Sequence, residues 1–313
     1  MSLEVRNLTK KYGDKTVVDD LSFEIKEPGV YALLGTNGAG KTTSIRMILG
    51  MLSHDSSEVL WNGKPLDPVN CNVGYLAEER GLYPKYSLMD QMIYFARLRG
   101  VSKSEALEKI KYWSERFDVG EYIYPGRNSK GKTIPPKKPE QLSKGNQQKI
   151  QLISALISDP ELLILDEPLS GLDPVNTDLF KSVIYEQIEK KKYLIMSSHQ
   201  MPTVEEFCTD ITILKKSKTV LQGNLNDIKK SYGRVNLFVK CETDIEDMIN
   251  ESGITLLNRK ESEYKLKVTG EEQANALLGK IIGKNIPIIR FELREPSLHE
   301  IFVEKVGGES EEK

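Results

Sequence analysis

Short apolar runs mark buried strands in the first part of the chain. They are VYALL at residues 30–34, LLIL at residues 162–165 and YLIM at residues 193–196. Uninterrupted apolar runs of this length are typical of strands in a parallel sheet that is covered on both faces. The pattern therefore predicts an α/β core with a mixed, mainly parallel sheet.

Helical spacing of apolar residues follows two of the turns. One helix is predicted after Lys41 and another after Ser143, whose hydroxyl is placed to cap the helix N-terminus. The apolar positions that share one face of these helices are Ile45, Ile48, Leu49 and Leu52, and Leu152, Ala155 and Leu156. Both helices have an apolar face that can cover a sheet.

A different pattern begins after about residue 230. RVNLFVK and EYKLKV alternate in polarity as half-buried strands do, and ANALLGKII has the apolar spacing of a helix. The order strand, helix, strand, strand, helix, strand predicts a small ferredoxin-like α+β domain. We therefore expect a first domain at 1–230, an accessory domain at 231–306 and a disordered acidic tail at 307–313.

Composition restricts the kinds of partner. The 44 Lys and Arg residues balance 46 Asp and Glu residues, so overall charge does not favour nucleic acid, and we expect none as a partner. No apolar run reaches the roughly 18 residues that a membrane helix needs. The N-terminal sequence lacks the apolar core of a signal peptide, which predicts a cytosolic chain.

Two stretches fit the phosphate-loop pattern G-x-x-x-x-G-K-[ST], at residues 35–42 and 126–133. Such a loop binds phosphate because it joins a strand to a helix whose N-terminus has a positive dipole end. The first stretch has that context. The second lies within a basic, proline-rich loop at 125–140, in which Pro135 and Pro136 remove donors and oppose a helix start. We therefore predict that only residues 35–42 bind phosphate, and that residues 127–138 supply no strand or helix.

Polar residues follow the other buried runs. Asp166 and Glu167 come directly after LLIL, and His199 follows YLIMSS. Ligands of open α/β sheets bind at the carboxyl ends of the strands. These three side chains are therefore candidates for the same site as the phosphate loop.

These segments, in this order, resemble the ATP-binding subunit of an ATP-binding cassette (ABC) transporter over about residues 1–230. GTNGAGKT stands at the Walker A position, LLILDE at Walker B, LSKGN at the signature motif, SGLD at the D-loop and His199 at the switch histidine. The signature has Lys144 and Asn146 where glycine and glutamine are usual, and Glu78 replaces the usual Q-loop glutamine. The helical subdomain of this family would cover about residues 82–160.

The resemblance implies ATP and Mg²⁺ as ligands, and it assigns a role to each matching residue. Catalysis would use Lys41, Glu167 and His199, with Glu167 as the base, and Thr42, Asp166 and Glu78 would hold the metal. The residues that would contact the nucleotide are Tyr12 (stacked on adenine), Gly35, Thr36, Asn37, Gly38, Ala39, Gly40, Lys41, Thr42, Thr43, Glu78, Ser143, Gly145 and Asp173.

The resemblance also implies partners and a location. Two subunits, identical or similar, would hold two ATP molecules head to tail, and their motion would drive a membrane permease subunit from the cytoplasmic face of the cell membrane. The C-terminal part, which closes with REPSLHEIFVEKVGG, resembles the accessory domain of bacterial exporter ATPases for sodium extrusion and antibiotic resistance. A soluble cassette ATPase of translation or repair is the alternative. Such proteins usually carry two cassettes or a coiled-coil insertion, and this chain has neither.

Overall fold

The computed structural model describes residues 1–53, 55–68, 71–78, 81–127, 129 and 131–307. The chain divides into two compact units, one at Met1–Gln222 and a second that begins at Gly223. The acidic tail predicted after residue 307 lies outside the described residues.

The strands up to the end of the first unit are β1 (Leu3–Tyr12), β2 (Lys15–Ile25), β3 (Gly29–Gly35), β4 (Ser56–Trp61), β5 (Lys64–Pro65), β6 (Val73–Leu76), β7 (Gly126–Arg127), β8 (Thr133–Ile134), β9 (Leu162–Asp166), β10 (Tyr193–Ser198), β11 (Asp210–Lys215) and β12 (Lys218–Asn224). Its helices are α1 (Lys41–Ile48), α2 (Leu88–Leu98), α3 (Lys103–Arg116), α4 (Gly120–Ile123), α5 (Lys144–Leu156), α6 (Pro174–Glu189) and α7 (Met201–Phe207), with a 3-10 turn at Pro139–Gln141.

A six-stranded sheet in the order β12-β11-β3-β10-β9-β6 forms the centre of this unit. Its pairs β11/β3, β3/β10, β10/β9 and β9/β6 are parallel. Each of the three apolar runs lies in one of these strands, and β3, β9 and β10 are buried along their whole length. The predicted parallel core is confirmed. Because parallel strands end at the same edge, the loop after β3 and the residues after β9 and β10 come together there.

A second sheet in the order β2-β1-β4-β5 is antiparallel, and the sequence patterns did not predict it. Its inner residues share one core with α1 and with one face of the central sheet. Leu8 and Leu21 of this sheet and Ile45 of α1 have no exposed surface. Full burial of such a side chain stabilises the fold by about 1.5–3 kcal/mol. This core fixes α1 beneath the loop that follows β3.

A short hairpin spans the second pattern match, so the prediction that residues 127–138 supply no strand was wrong. Gly126–Arg127 pairs antiparallel with Thr133–Ile134. Strands of this length have too few positions to show alternation, and Gly131 supplies a left-handed turn residue at φ 76°. The 3-10 turn at Pro139–Gln141 comes next, and α5 begins only at Lys144.

The second unit contains α8 (Leu225–Ser231), β13 (Asn236–Cys241), α9 (Glu246–Glu251), β14 (Thr255–Lys260), β15 (Glu263–Lys267), α10 (Glu271–Gly283), β16 (Ile288–Arg294) and α11 (Leu298–Gly307). From β13 to β16 the order is the one predicted for a ferredoxin-like domain, in a sheet ordered β14-β15-β13-β16. Leu237, Val239 and Leu266 pack with Leu277 of α10 in a separate core.

Candidate functional site

The loop between β3 and α1 has the backbone of a phosphate-binding turn. Gly38 and Gly40 have φ angles of 79° and 109°, and α1 starts directly after Gly40. A Cβ at Gly40 would lie 2.6 Å from the carbonyl oxygen of Val17. No larger residue fits there, because β2 passes too close to the loop. The first N–H groups of α1 therefore face the space above the loop.

Lys41 is held over this loop. Its Nζ donates to the carbonyl oxygen of Gly35 at 2.9 Å and lies 3.4 Å from Oε1 of Glu167. The Lys41 and Glu167 side chains are 7% and 5% exposed. Removing one partner of such a buried pair typically costs about 3–5 kcal/mol, since the other charge is left without compensation. The ammonium group is thus already fixed where a phosphate on the loop would need it.

Glu167 has a strained backbone, with φ at 50°. A residue other than glycine in the left-handed region costs about 1–3 kcal/mol, and such strain clusters at functional sites. Its other carboxylate oxygen, Oε2, lies 2.8 Å from Nδ1 of His199. Because an ionised carboxylate only accepts hydrogen bonds, Nδ1 of His199 is the donor. Glu167 is therefore held between a lysine and a half-exposed histidine.

Ser197 joins the ends of β9 and β10, and the sequence analysis assigned it no role. Its hydroxyl donates to Oδ1 of Asp166 at 2.5 Å and accepts from the backbone N–H of Glu167 at 2.9 Å. The two strands are in register at this point, with Ser197 beside Asp166. The available signal was a polar residue directly after the apolar run YLIM, which predicts a buried strand.

Thr42, Asp166 and Glu78 supply oxygen atoms at one place. Oγ1 of Thr42 lies 3.2 Å from Oδ1 of Asp166 and 3.5 Å from Oε2 of Glu78. Oδ2 of Asp166 is buried, and no described residue forms a hydrogen bond with it. Burial raises the pKa of Asp166, although hydrogen bonds from Ser197 and Thr42 oppose that shift.

This set of oxygen atoms fits Mg²⁺. The ion takes one or two protein carboxylates and receives its other ligands from phosphate and water. Across the described ranges, no group of three or more His, Cys, Asp and Glu residues forms a protein-only metal cage. The buried oxygen of Asp166 without a partner is thus suited to a cation that arrives with the nucleotide.

A cleft of ≈ 410 Å³ is lined by the phosphate loop, Glu78 and Glu167; Asp166 and His199 are not among its described lining residues. The predicted site residues in its wall are Asn37, Gly38, Gly40, Lys41, Thr42, Thr43, Glu78 and Glu167. Lys15, Val17 and Ser217 also line the cleft, and the sequence analysis missed them. Val17 and Ser217 come from a strand of the second sheet and from the turn after β11, so only the tertiary fold brings them to the loop. Of the other residues in Walker A, Gly35 and Thr36 offer their carbonyl oxygens to Lys41, and Ala39 is buried beneath the loop.

Tyr12 lies at the end of β1 with 53% of its surface exposed. The ammonium group of Lys10 is 5.4 Å from the centre of its ring. Tyr12 is not among the described residues that line the cleft. Its exposed ring is nevertheless available to a flat ligand.

The signature and D-loop residues form a separate group. Ser143 caps α5, its Oγ accepting from the N–H of Asn146 at 3.3 Å, and Asp173 caps α6 by accepting from the N–H of Asn176 at 2.9 Å. That backbone hydrogen bond lowers the pKa of Asp173. A Cβ at Gly145 would lie 3.6 Å from Nδ2 of Asn176, so the starts of α5 and α6 are neighbours. Ser143, Gly145 and Asp173 are not among the described residues lining the cleft.

Comparison with known proteins agrees with the motifs. The profile of the ABC transporter family matches residues 18–170. The ABC transporter ATP-binding protein YhaQ of Bacillus subtilis (strain 168), itself uncharacterised, is 44% identical over 307 residues, which cover 98% of this chain and 99% of YhaQ. The chain belongs to the ABC transporter ATP-binding proteins.

Other ABC transporter ATP-binding proteins match both units. The profile of the ATP-binding protein DrrA1-3-like C-terminal domain matches residues 223–306. Linearmycin resistance ATP-binding protein LnrL of B. subtilis (strain 168) is 27% identical, covering 97% of this chain and 98% of LnrL. Nod factor export ATP-binding protein I of Cupriavidus metallidurans is 26% identical over an aligned region that covers 98% of this chain and 98% of the relative.

A solved structure of an ATP-binding subunit of an ABC transporter superposes with a TM-score of 0.65 at 28% identity. The superposed region covers 74% of this chain and 93% of the solved chain. The fold is therefore that of an ABC ATP-binding subunit, as predicted.

Membership of this family establishes the activity in general terms. The chain is a nucleotide-binding ATPase subunit that powers transport, and subunits of its family dimerise and work with membrane permease components. The comparisons do not favour the alternative of a soluble cassette ATPase in translation or repair. Within the described residues, none of the helices has the length and apolar character that would let it cross a membrane.

Proposed function

We propose that this chain drives export through a separate membrane permease, by ATP-dependent closure and reopening of a head-to-tail dimer at the cytoplasmic face of the membrane. The C-terminal match to a DrrA-like domain and the names of two relatives, one of linearmycin resistance and one of Nod factor export, support export. The observation that carries the ATP-driven part is the joint placement of Lys41, Glu167 and His199 beside the loop after β3.

The head-to-tail dimer rests on the separation of two groups of residues. The cleft has the phosphate loop and the carboxylates, whereas Ser143 and Gly145 lie at the start of α5, outside the described lining of the cleft. A second subunit can bring its own α5 to the open side of the cleft. Ser143, Gly145 and Asp173 of one copy then complete the site of the other.

Lys41 and Glu167 have distinct tasks in the proposed reaction. Lys41 is paired with Glu167. The γ-phosphate of ATP would compete for the ammonium group and release one oxygen of Glu167, which then accepts a proton from the attacking water as a general base. His199, already within hydrogen-bond distance of Glu167, would contact the γ-phosphate and keep the water and the carboxylate aligned.

Thr42, Asp166 and Glu78 would hold Mg²⁺, which neutralises charge on the phosphates when it is bound. Asp166 contributes the oxygen that has no hydrogen-bond partner, and Thr42 contributes its hydroxyl. Tyr12 would stack on adenine with its exposed ring. Lys15, Val17 and Ser217 add further contacts to the part of the nucleotide that lies in the cleft.

Glu167→Gln tests the role of the base. The variant keeps the size of the side chain but lacks a proton acceptor of sufficient basicity. We expect it to bind ATP, to hydrolyse ATP about 10²–10⁴-fold more slowly and to accumulate a closed dimer on size exclusion. Steady hydrolysis at the wild-type rate would remove Glu167 from this role.

Mixed dimers test the composite site. A Ser143→Arg subunit combined with a Lys41→Ala subunit retains one intact site if the loop of one copy meets the signature of the other. We expect such mixtures to form closed heterodimers with ATP, while each variant alone does not. If the loop and the signature of one copy served the same ATP, each site in the mixture would be damaged and no closed heterodimer would form.

Co-purification from native membranes tests the permease and the location. A tagged full-length chain should bring down a protein with several membrane spans. Recovery of ribosomes in place of that protein would contradict the proposal and favour a translation factor.

A further inference from the structure

The hydroxyl of Ser197 is fully buried at the junction of β9 and β10, and its hydrogen bonds have only one possible direction. A serine hydroxyl donates one hydrogen and accepts through its lone pairs. The carboxylate of Asp166 can only accept, and the backbone N–H of Glu167 can only donate. Ser197 therefore donates at 2.5 Å to Oδ1 of Asp166 and accepts at 2.9 Å from the N–H of Glu167.

The bond to Asp166 fixes the rotation of its carboxylate group. Oδ1 accepts from Ser197 and from Thr42, whereas Oδ2 is buried and has no hydrogen-bond partner among the described residues. Without the Ser197 hydroxyl, Asp166 would keep only the hydrogen bond from Thr42, which is the weaker of the two because it is 3.2 Å long. The carboxylate could then rotate and exchange its two oxygens.

The bond to Glu167 fixes the backbone where it turns out of β9. Glu167 is in the left-handed region at φ 50°, a conformation that persists only when neighbouring groups hold it. This turn directs the side chain between Lys41 and His199. Loss of the N–H bond allows the backbone to relax and moves the carboxylate.

We propose that Ser197 is a positioning residue for both carboxylates of the ATPase site. One hydroxyl sets the rotation of Asp166 for the cation and the backbone turn of Glu167 for the attacking water. The inference rests on the proposed roles of Asp166 and Glu167. The adjacent Ser198 differs, since its hydroxyl accepts from the N–H of Gln200 and is not bonded to either carboxylate.

Ser197→Ala is the test, with Thr212→Val as the matched control. Thr212 is also fully buried in the same sheet, and its hydroxyl is bonded to that of Tyr31 at 2.6 Å. Both variants lose one buried hydroxyl, but only Ser197→Ala affects the carboxylates. Ser197→Thr keeps the hydroxyl and serves as the rescue variant.

Three measurements on the full chain separate positioning from folding: ATP affinity in EDTA, ATP affinity with Mg²⁺, and kcat with KM. For Ser197→Ala we expect the ATP affinity in EDTA to equal that of the wild type. The increase in ATP affinity on adding Mg²⁺ should be about 10–100-fold smaller than in the wild type, and kcat should fall at least tenfold. Ser197→Thr should recover most of both, and Thr212→Val should resemble the wild type even if its melting temperature falls.

Two results would overturn the inference. One is a Ser197→Ala variant with wild-type kcat and Mg²⁺ response. The other is an equal loss in Ser197→Ala and Thr212→Val that follows their melting temperatures. If Ser197→Ala does not fold, Ser197→Cys replaces it, since a thiol is a weak donor, and full activity of that variant would also overturn the inference. Glu167→Gln distinguishes the two proposals: if it stops hydrolysis while Ser197→Ala does not, only the role of Ser197 fails.

Discussion

Residues 35–42 and 126–133 fit the same phosphate-loop pattern but differ in what precedes and follows them. The first stretch follows a strand that is buried along its whole length, and α1 starts within it at Lys41. The second is enclosed by the exposed hairpin strands β7 and β8, and its Lys132 lies in the turn between them. The same sequence pattern therefore occurs in two different backbone conformations.

The difference shows that a phosphate loop is defined by its surroundings. At Gly40 the neighbouring β2 leaves no room for a side chain, whereas a Cβ at Gly131 would have no described residue within 4 Å apart from its chain neighbours. Lys41 is buried against Gly35 and Glu167. A helix N-terminus, a crowded glycine and a fixed lysine favour phosphate binding at the first stretch. Corresponding substitutions in the two stretches should therefore have unequal effects.

Alanine at the two glycines should show the largest inequality. Both residues have positive φ angles, 109° at Gly40 and 76° at Gly131, so both substitutions introduce backbone strain of about 1–2 kcal/mol. Only Gly40→Ala also forces a Cβ to 2.6 Å from the Val17 carbonyl oxygen. We expect Gly40→Ala to weaken ATP binding at least ~100-fold, by about 2.7 kcal/mol, in a titration.

Gly131→Ala is the control for strain alone and should leave ATP affinity within about twofold of wild type, a change below ~0.5 kcal/mol. Equal losses of affinity in the two variants would show that crowding at Gly40 is not what distinguishes the loops.

The two threonines should differ less, and only when Mg²⁺ is present. Thr42→Ala removes the hydroxyl that lies 3.2 Å from Asp166 and 3.5 Å from Glu78. The gain in ATP affinity on adding Mg²⁺ should fall about 10–100-fold, while affinity in EDTA changes little. Thr133→Ala should change neither value, because Thr133 is an exposed residue of the hairpin. An unchanged Mg²⁺ response in Thr42→Ala would contradict the proposed metal site.

Replacing residues 128–132 by a Gly-Ser linker should have the smallest effect on binding. The replaced stretch connects two exposed strands and lies outside the described lining of the cleft. ATP affinity and the melting temperature of the purified chain should both stay near the wild-type values. A clear loss of ATP affinity would mean that the hairpin contributes to the nucleotide site.

Much of the site was predictable because its signals are local. The strand before Gly35, the helix after Lys41 and the cap at Ser143 depend on neighbouring residues in the chain, and the structure has all three elements. The carboxylates of Asp166 and Glu167 at the end of β9 were also predictable. An apolar run that is followed by two acidic residues is recognised from neighbouring positions in the chain.

The parts that sequence reasoning missed depend on distant pairings. Ser197 contacts Asp166 because β9 and β10 are in parallel register, and no local pattern encodes that alignment. Val17 and Ser217 reach the cleft only through the fold of β2 and the turn after β11. The β7/β8 hairpin escaped notice because its strands are too short to alternate.

ATP affinity of Lys41→Ala measured beside that of Lys132→Ala is the most direct test of the account. Nζ of Lys41 lies 2.9 Å from the Gly35 carbonyl oxygen, and Lys41 lines the cleft above the loop, whereas Lys132 lies outside the described lining of that cleft. The account predicts that Lys41→Ala weakens ATP binding or abolishes turnover, and that Lys132→Ala leaves both unchanged. Equal losses in the two variants would contradict it, because they would mean that both stretches bind phosphate.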